Sequence, residues 1–122
     1  MTTVLIADDE PSLRLLVYTT IESDQYQVVE AEDGDEAWQL LKEHRPDVAL
    51  LDVSMPGRTG LELARAIKDD PELAATRVVL LTAKAQPADV EAGLAAGADY
   101  YLTKPFSPLE LLDVLEQTLE PR

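Results

Sequence analysis

Hydrophobic and polar residues follow two patterns along this chain, one typical of strands and one typical of helices. Short apolar or mixed runs, each followed by polar or turn residues, have the composition of β-strands: Val4–Ala7, Gln27–Ala31, Val48–Leu51, Val78–Leu81 and Tyr100–Leu102. Runs this short are typical of buried strands in a parallel sheet. Between the runs, apolar residues recur at spacings of three and four, which indicates amphipathic helices. The first such pattern comprises Leu13, Leu16, Val17, Thr20 and Ile21.

The helical spacing returns four more times, and residues that begin or end helices stand at suitable places. The apolar positions are Ala37, Leu40 and Leu41, then Leu63, Ala64 and Ile67, then Val90 and Leu94, and lastly Leu112, Leu115 and Leu119. Pro11 and Pro87 suit the first turn of a helix, Ser107 suits an N-cap, and Gly97 suits a C-terminus. The pattern therefore predicts strands and helices in strict alternation.

Five strand–helix units in succession predict a doubly wound α/β sandwich. Right-handed crossovers place helices on both faces of a five-stranded parallel sheet. The second run, QVVEA, is the most mixed in polarity and suits an edge of the sheet. We predict a flavodoxin-like (βα)5 fold with strand order 2-1-3-4-5, forming a single domain over residues 1–122.

The charge balance narrows the range of partners. The sequence has 24 acidic residues against 10 Lys and Arg, a net charge of −14, which repels nucleic-acid phosphates and anionic membranes. The start, MTTVLIADDE, lacks the basic segment of a signal peptide, no apolar run approaches membrane-spanning length, and there is no cysteine. We therefore expect a cytoplasmic protein that binds neither nucleic acid nor membrane directly.

Reactive side chains stand where four of the predicted strands end. Asp8 and Asp9 follow the first strand, Asp52 the third and Thr82 the fourth, and Lys104 lies just beyond the fifth. The carboxyl ends of parallel strands share one edge of the sheet, so these groups should converge in the crevice between the first and third strands. Carboxylates without His or Cys nearby favour a hard cation, Mg²⁺ first and Mn²⁺ second. The set suits metal-assisted phosphoryl chemistry centred on Asp52.

Each of these signals has a plainer explanation when taken alone. A pair of aspartates at a strand end is often a turn or a charge at a helix N-terminus. Thr82 alone is most simply a strand-end hydroxyl, and Lys104 alone a surface lysine. Their occurrence together, in order and on four separate strands, favours the functional interpretation.

These residues resemble the receiver domain of two-component response regulators over almost the whole chain, from position 4 to about position 119. The resemblance is carried by the acid pair in LIADDEP, the aspartate in LLDVSMPGRTG, the hydroxyl in LLTA and the lysine in YYLTKPF. It implies that Asp52 accepts a phosphoryl group, which Thr82 and Lys104 contact. It also implies a cis peptide bond between Lys104 and Pro105.

The resemblance further implies a metal site, partners and a switching residue. Mg²⁺ would be held by Asp9, Asp52 and the main-chain carbonyl of Ser54, with Asp8 acting through water. The phosphoryl donor would be a sensor histidine kinase or a histidine phosphotransfer protein. Phosphorylation would turn Tyr101 inward and change how the fourth helix, fifth strand and fifth helix bind an effector protein or output domain. Such a protein catalyses only its own aspartyl phosphorylation and dephosphorylation.

Two alternatives and one departure accompany this interpretation. A phosphatase of the haloacid-dehalogenase type also uses an aspartate nucleophile with Mg²⁺, but usually has a second aspartate where this chain has Ser54. A constitutive interaction module that is never phosphorylated is the other alternative.

The chain departs from one group of receivers, those of winged-helix transcription factors, which pair acids with arginines across a symmetric dimer. Here Tyr100 replaces one of those acids and no Lys or Arg occurs from Pro105 to Pro121, which argues against that dimer.

Overall fold

Strands and helices alternate along the whole fold. The computed structural model describes residues 1–83 and 87–120, apart from the side chains of Pro87 and Asp89. The strands are β1 (Thr2–Ala7), β2 (Tyr26–Ala31), β3 (Val48–Asp52), β4 (Arg77–Thr82) and β5 (Tyr100–Thr103). The helices are α1 (Pro11–Ile21), α2 (Gly34–His44), α3 (Gly60–Asp69), α4 (Pro87–Ala95) and α5 (Pro108–Leu119).

The sheet is parallel throughout, with strand order β2-β1-β3-β4-β5. This confirms the predicted flavodoxin-like fold, with β2 at an edge. Each strand is longer than predicted, and β3 and β4 take in Asp52 and Thr82. Because Asp52 pairs with Leu81 and Thr82 with Thr103, strand pairing fixes the main chain of both candidate site residues.

The central strand β3 is buried along its whole length, because helices cover both faces of the sheet. On one face the core includes Leu51 with Leu41 of α2 and Leu63 of α3. On the opposite face it includes Leu50 with Val17 of α1, together with side chains of α5. Burying one such side chain contributes roughly 1.5–3 kcal/mol. The strand that carries Asp52 is therefore firmly held from both sides.

The helix ends predicted from the sequence are confirmed. Pro11 is the first residue of α1. Before α5, the Ser107 hydroxyl accepts a hydrogen bond from the Glu110 N–H, and the Glu110 carboxylate accepts one from the Ser107 N–H, both at 3.2 Å. After α4, Gly97 has φ 101° and donates its N–H to the Leu94 carbonyl at 3.0 Å. This left-handed turn ends α4 and leads the chain into β5.

Two apolar positions assigned to the inner faces of helices are wrong. Leu112 of α5 is 37% exposed, whereas its neighbour Leu111 is fully buried. Leu94 of α4 is 59% exposed. At Gly93 an added Cβ would lie 2.9 Å from the Leu80 side chain, so α4 approaches the sheet through a glycine and turns Leu94 outward.

A side chain from the sheet bonds the last carbonyls of α5. Its last turn contains no basic residue. The guanidinium of Arg77, at the start of β4, donates hydrogen bonds to the main-chain carbonyls of Thr118 and Glu120 instead. A cation beside the last carbonyls of a helix also interacts favourably with the helix dipole. Among the residues described here, none of the helices has the length and apolar character needed to cross a membrane.

Candidate functional site

Three carboxylates meet at the carboxyl ends of β1 and β3. The register pairs Ala7 with Leu51, so Asp8, Asp9 and Asp52 emerge side by side from neighbouring strands. One oxygen from each of the three lies within 4.8 Å of the others. Asp8 is fully buried and Asp52 is 7% exposed, whereas Asp9 faces solvent. The cluster is thus most exposed to solvent at Asp9.

Lys104 supplies a positive charge at the inner side of this cluster. Its Nζ lies 2.7 Å from Oδ2 of Asp8 and 3.3 Å from Oδ2 of Asp52. Its main-chain N–H donates to the Thr82 carbonyl at 2.7 Å, which fixes the turn after β5 against the end of β4. The peptide bond between Lys104 and Pro105 is cis, as the family resemblance implies. One ammonium therefore bridges two of the three carboxylates.

Burial and like charge act together on Asp52. Burial raises the pKa of Asp52, and the charge of Asp8 raises it further, against a hydrogen bond from the Ser54 N–H and the charge of Lys104. For Lys104, burial lowers the pKa, but the hydrogen bond with Asp8 and the charges of Asp8 and Asp52 outweigh burial, so the pKa is raised overall. Asp52 therefore sits in a site with a surplus of negative charge, which a cation would relieve.

The cluster opens into a cleft of about 490 Å³, which has room for a hydrated ion and a phosphoryl group at roughly 30 Å³ per water. Its walls are formed by Asp9, Glu10, Asp52, Val53, Ser54, Thr82, Ala83 and Lys104. The Ser54 N–H donates to Oδ1 of Asp52 at 3.1 Å. All the ionisable oxygen donors here are carboxylates, a set that fits a hard divalent cation such as Mg²⁺.

The structure thus brings most of the predicted site residues together. Asp9, Asp52, Ser54, Thr82 and Lys104 all line the cleft. Asp8 lies beneath it and reaches the cleft through its contact with the lysine. Tyr101 stands apart, half-buried on β5, where it packs against the hydrophobic core. Its backbone pairs with Leu80, two residues before the hydroxyl at the end of β4.

Sequence reasoning did not single out two residues that support the cluster. The Glu10 N–H donates to Oδ1 of Asp8 at 2.9 Å, and the Glu10 side chain lines the cleft. Arg14 of α1 donates from Nη1 to the main-chain carbonyl of Asp8 at 2.7 Å. The available signal was spacing, because Arg14 lies one helical turn beyond Glu10 and its N–H donates to the Glu10 carbonyl. That spacing does not reveal a side chain bonded to a strand carbonyl.

The loop after Asp52 is held by close backbone packing. At Gly60, the first residue of α3, an added Cβ would lie 2.4 Å from the Asp52 carbonyl oxygen. At Gly34, the first residue of α2, it would lie 1.8 Å from the Arg58 carbonyl oxygen. The Arg58 guanidinium also stacks 4.9 Å from the ring centre of Trp38 on α2. The loop that carries Ser54 is therefore pressed against two helix N-termini.

Residues 4–116 match the sequence profile of the response regulator receiver domain. The chain belongs to this family, whose members are phosphoacceptor switches of two-component signalling rather than typical enzymes. The acidic pocket formed by Asp8, Asp9 and Asp52 fits a phosphoacceptor site.

Individual relatives agree with this assignment. The chain is 40% identical over 117 residues to the phosphate regulon transcriptional regulatory protein PhoB of Pseudomonas aeruginosa, covering 96% of this chain and 51% of that protein. Among solved structures, the chemotaxis response regulator CheY4 of Vibrio cholerae superimposes with a TM-score of 0.92 at 37% identity, covering 98% and 99% of the two chains. The chain spans about half the length of the curated relatives it matches.

A third relative was solved with a bound metal ion. The receiver domain of a sensor histidine kinase from Pseudomonas aeruginosa was solved with a magnesium ion coordinated in its active-site cleft. It superimposes with a TM-score of 0.85 at 29% identity, covering 96% of each chain.

Proposed function

We propose that Asp52 accepts a phosphoryl group from the phosphohistidine of a sensor histidine kinase or histidine phosphotransfer protein. The observation that carries this proposal is the position of Asp52. It lies at the end of a fully buried central strand, beside two further carboxylates and 3.3 Å from the Lys104 ammonium. A carboxylate presented in this way, at the open end of a parallel sheet, suits the role of phosphoryl acceptor.

The transfer is a simple displacement at phosphorus. A carboxylate oxygen of Asp52 bonds to phosphorus while the bond between phosphorus and the donor histidine nitrogen breaks, and the imidazole leaves with the electron pair of that bond. The Lys104 ammonium stabilises negative charge on the phosphoryl oxygens as a point charge. The Thr82 hydroxyl, at the end of β4 and on the wall of the cleft, donates a hydrogen bond to one of them.

Mg²⁺, or Mn²⁺ in its place, completes the proposed site. Asp9, Asp52 and the Ser54 carbonyl would hold the ion, and Asp8 would act on it through water. When bound, the ion neutralises charge on the transferring group. The fit is supported by the surplus negative charge around Asp52 and by the close approach of the three carboxylate oxygens.

We further propose that the phosphorylated site is read out at the surface formed by α4, β5 and α5. Thr82 ends the strand that pairs with β5, and Tyr101 pairs with Leu80, two residues before Thr82, so a shift of the Thr82 hydroxyl toward a phosphoryl group acts close to Tyr101. The Tyr101 hydroxyl is buried and has no hydrogen-bond partner among the described residues. A buried hydroxyl without a partner costs free energy, so a ring position that gives this hydroxyl a partner would be favoured. The partner would be an effector protein or an output domain.

The remaining parts of the proposal concern the chain as a whole. We propose that residues 1–122 form one receiver domain that works in the cytoplasm. Its net charge of −14 supports a protein partner rather than nucleic acid. Its catalytic activity would be limited to its own phosphorylation and dephosphorylation.

Incubation with acetyl phosphate and Mg²⁺, followed by intact-mass measurement, tests the phosphoacceptor. Wild type should gain the mass of one phosphoryl group, and Asp52→Asn should gain none. The matched control is Asp47→Asn, an exposed aspartate just before β3, which should label like wild type. Equal labelling of Asp52→Asn and wild type would refute the assignment. Rapid turnover of a general phosphate ester would instead favour a phosphatase.

A further inference from the structure

Arg14 is the one cation of α1, and most of its side chain is buried beside the acidic cluster. Only 12% of the side chain is exposed. Its guanidinium reaches three acceptors: the Asp8 carbonyl at 2.7 Å, Glu30 at 3.4 Å and Glu32 at 3.9 Å. It therefore ties the first turns of α1 to the ends of β1 and β2.

The contact with Asp8 falls where the strand ladder stops. The last residue of β1, Ala7, still pairs with both neighbouring strands, and the Asp8 N–H donates to the Ala31 carbonyl at 3.2 Å. The carbonyl of Asp8 lies beyond that ladder, and Arg14 donates to it. A buried carbonyl that loses its donor bears a desolvation cost of about 1–3 kcal/mol. Arg14 thus sets the plane of the peptide group that joins Asp8 to Asp9.

That peptide group joins two of the three residues whose carboxylates form the cluster. The Asp8 side chain is already fixed, with Oδ1 accepting from the Glu10 N–H and Oδ2 beside Lys104. No comparable side-chain contact is described for Asp9, which is exposed. Its direction consequently depends on the backbone that carries it, which is held by the Arg14 bond to the Asp8 carbonyl and by the Asp8 bond to the Glu10 N–H.

We infer that Arg14 is a positioning residue for the metal site: it orients the Asp8–Asp9 peptide group so that both carboxylates face the incoming ion. This inference rests on the proposed metal site. Two effects of the guanidinium oppose each other, because its charge repels a dication while its hydrogen bond preorganises the ligands. Glu30 and Glu32 offset much of that charge, so preorganisation should dominate.

The test measures the Mg²⁺ dissociation constant of the full chain by calorimetry, separately from stability in chelator. Arg14→Met should weaken Mg²⁺ binding about tenfold, the usual lower range for residues that orient metal ligands. Arg14→Lys, which keeps the charge and one donor, should give a value between those of wild type and Arg14→Met. A merely structural role would lower the melting temperature in chelator without changing the dissociation constant.

Two controls separate geometry from charge. The double variant Glu30→Gln/Glu32→Gln removes the ion pairs but leaves the bond to Asp8, so it should weaken Mg²⁺ binding less than Arg14→Met does. Arg65→Met removes a positive charge from an exposed position on α3 and should leave affinity unchanged. If Arg14→Met does not fold, Arg14→Gln replaces it, since an amide there is uncharged and too short to reach the same carbonyl.

Unchanged or tighter Mg²⁺ binding in the folded Arg14→Met or Arg14→Gln variant would overturn the inference. So would an Arg14→Lys variant that recovers nothing. These outcomes differ from failure of the proposed function, because a wild-type chain that binds no Mg²⁺ would remove the metal site itself.

Discussion

The two sides of the cleft are built differently. On the β3 side, the strand that carries Asp52 is fully buried, and the loop after it packs backbone to backbone against the start of α3 at Gly60. On the β5 side, the surface of α4, β5 and α5 exposes large apolar side chains, which are Leu94, Tyr100, Leu109 and Leu112. The proposed phosphoacceptor Asp52 thus sits on the firmly packed side of the cleft, whereas the proposed readout surface exposes the apolar side chains that a partner could cover.

Adding one methyl group on the β3 side should cost the most stability, and the matched addition on the β5 side should cost little. Gly60→Ala should destabilise the protein by about 3 kcal/mol, because the new Cβ meets the Asp52 main chain, which cannot move aside. Gly93→Ala, the matched change in α4, meets only the tip of the Leu80 side chain and gains helix propensity. It should change stability by less than about 1 kcal/mol. Urea unfolding of both variants measures this, and equal losses would erase the proposed difference between the sides.

Mg²⁺ should stabilise the fold by an amount close to the loss of about 3 kcal/mol expected for Gly60→Ala. A ligand that binds only the folded state adds about 2.7 kcal/mol at 100 times its dissociation constant. The melting temperature should therefore rise with Mg²⁺, and Asp9→Ala should largely abolish the rise. Thermal melts of the two proteins across a Mg²⁺ series make the comparison. A parallel rise in both would indicate a general salt effect on a chain of net charge −14.

Without metal, Asp52→Asn should stabilise the protein by about 1 kcal/mol at neutral pH, within the range of stabilising single substitutions. Burial and Asp8 raise the folded-state pKa of Asp52, so the folded state binds its proton more tightly than the unfolded state does. Stability from this group is then present at low pH and lost as pH rises through the folded-state pKa. The advantage of Asp52→Asn should accordingly shrink on acidification. Denaturant melts in chelator, from neutral to acidic pH, measure the difference in stability between Asp52→Asn and wild type. A difference that stayed constant or widened on acidification would contradict the prediction.

The smallest effect concerns self-association through α5. The exposed acids Glu110, Asp113, Glu116 and Glu120 have no basic counterpart on that helix. A symmetric dimer would oppose like charges, so any weak association there should strengthen with salt. Sedimentation with beryllofluoride and Mg²⁺ at two salt concentrations measures it. A micromolar dimer that Glu116→Arg disrupts would show that the readout side carries a defined interface.

Much of this molecule could be predicted from its pattern of residues. The strand order followed from five alternating units, and the place of Asp52 followed from its position after a buried run. Helix phase was harder in α5, because adjacent leucines at 111 and 112 satisfy the helical spacing almost equally well. In α4 the residue that faces the sheet is Gly93 rather than Leu94, and a pattern of apolar residues does not reveal a glycine in that role.

The contacts that were not predicted share a physical cause. Arg14 bonds the Asp8 carbonyl and Arg77 bonds the last carbonyls of α5. In each case a long side chain meets a main-chain acceptor on another element. Main-chain acceptors are identical at every residue, so the sequence carries no mark of which one an arginine will reach.

The stacking of Arg58 on Trp38 gives the protein a built-in optical probe. Trp38 is the only tryptophan in the chain, so its emission comes from one place. That place is the contact between α2 and the loop that leads from Asp52 to α3. Any event at the cleft that displaces Arg58 changes the polarity and charge around a single indole. The fluorescence of the unlabelled protein is therefore sensitive to movement of that loop.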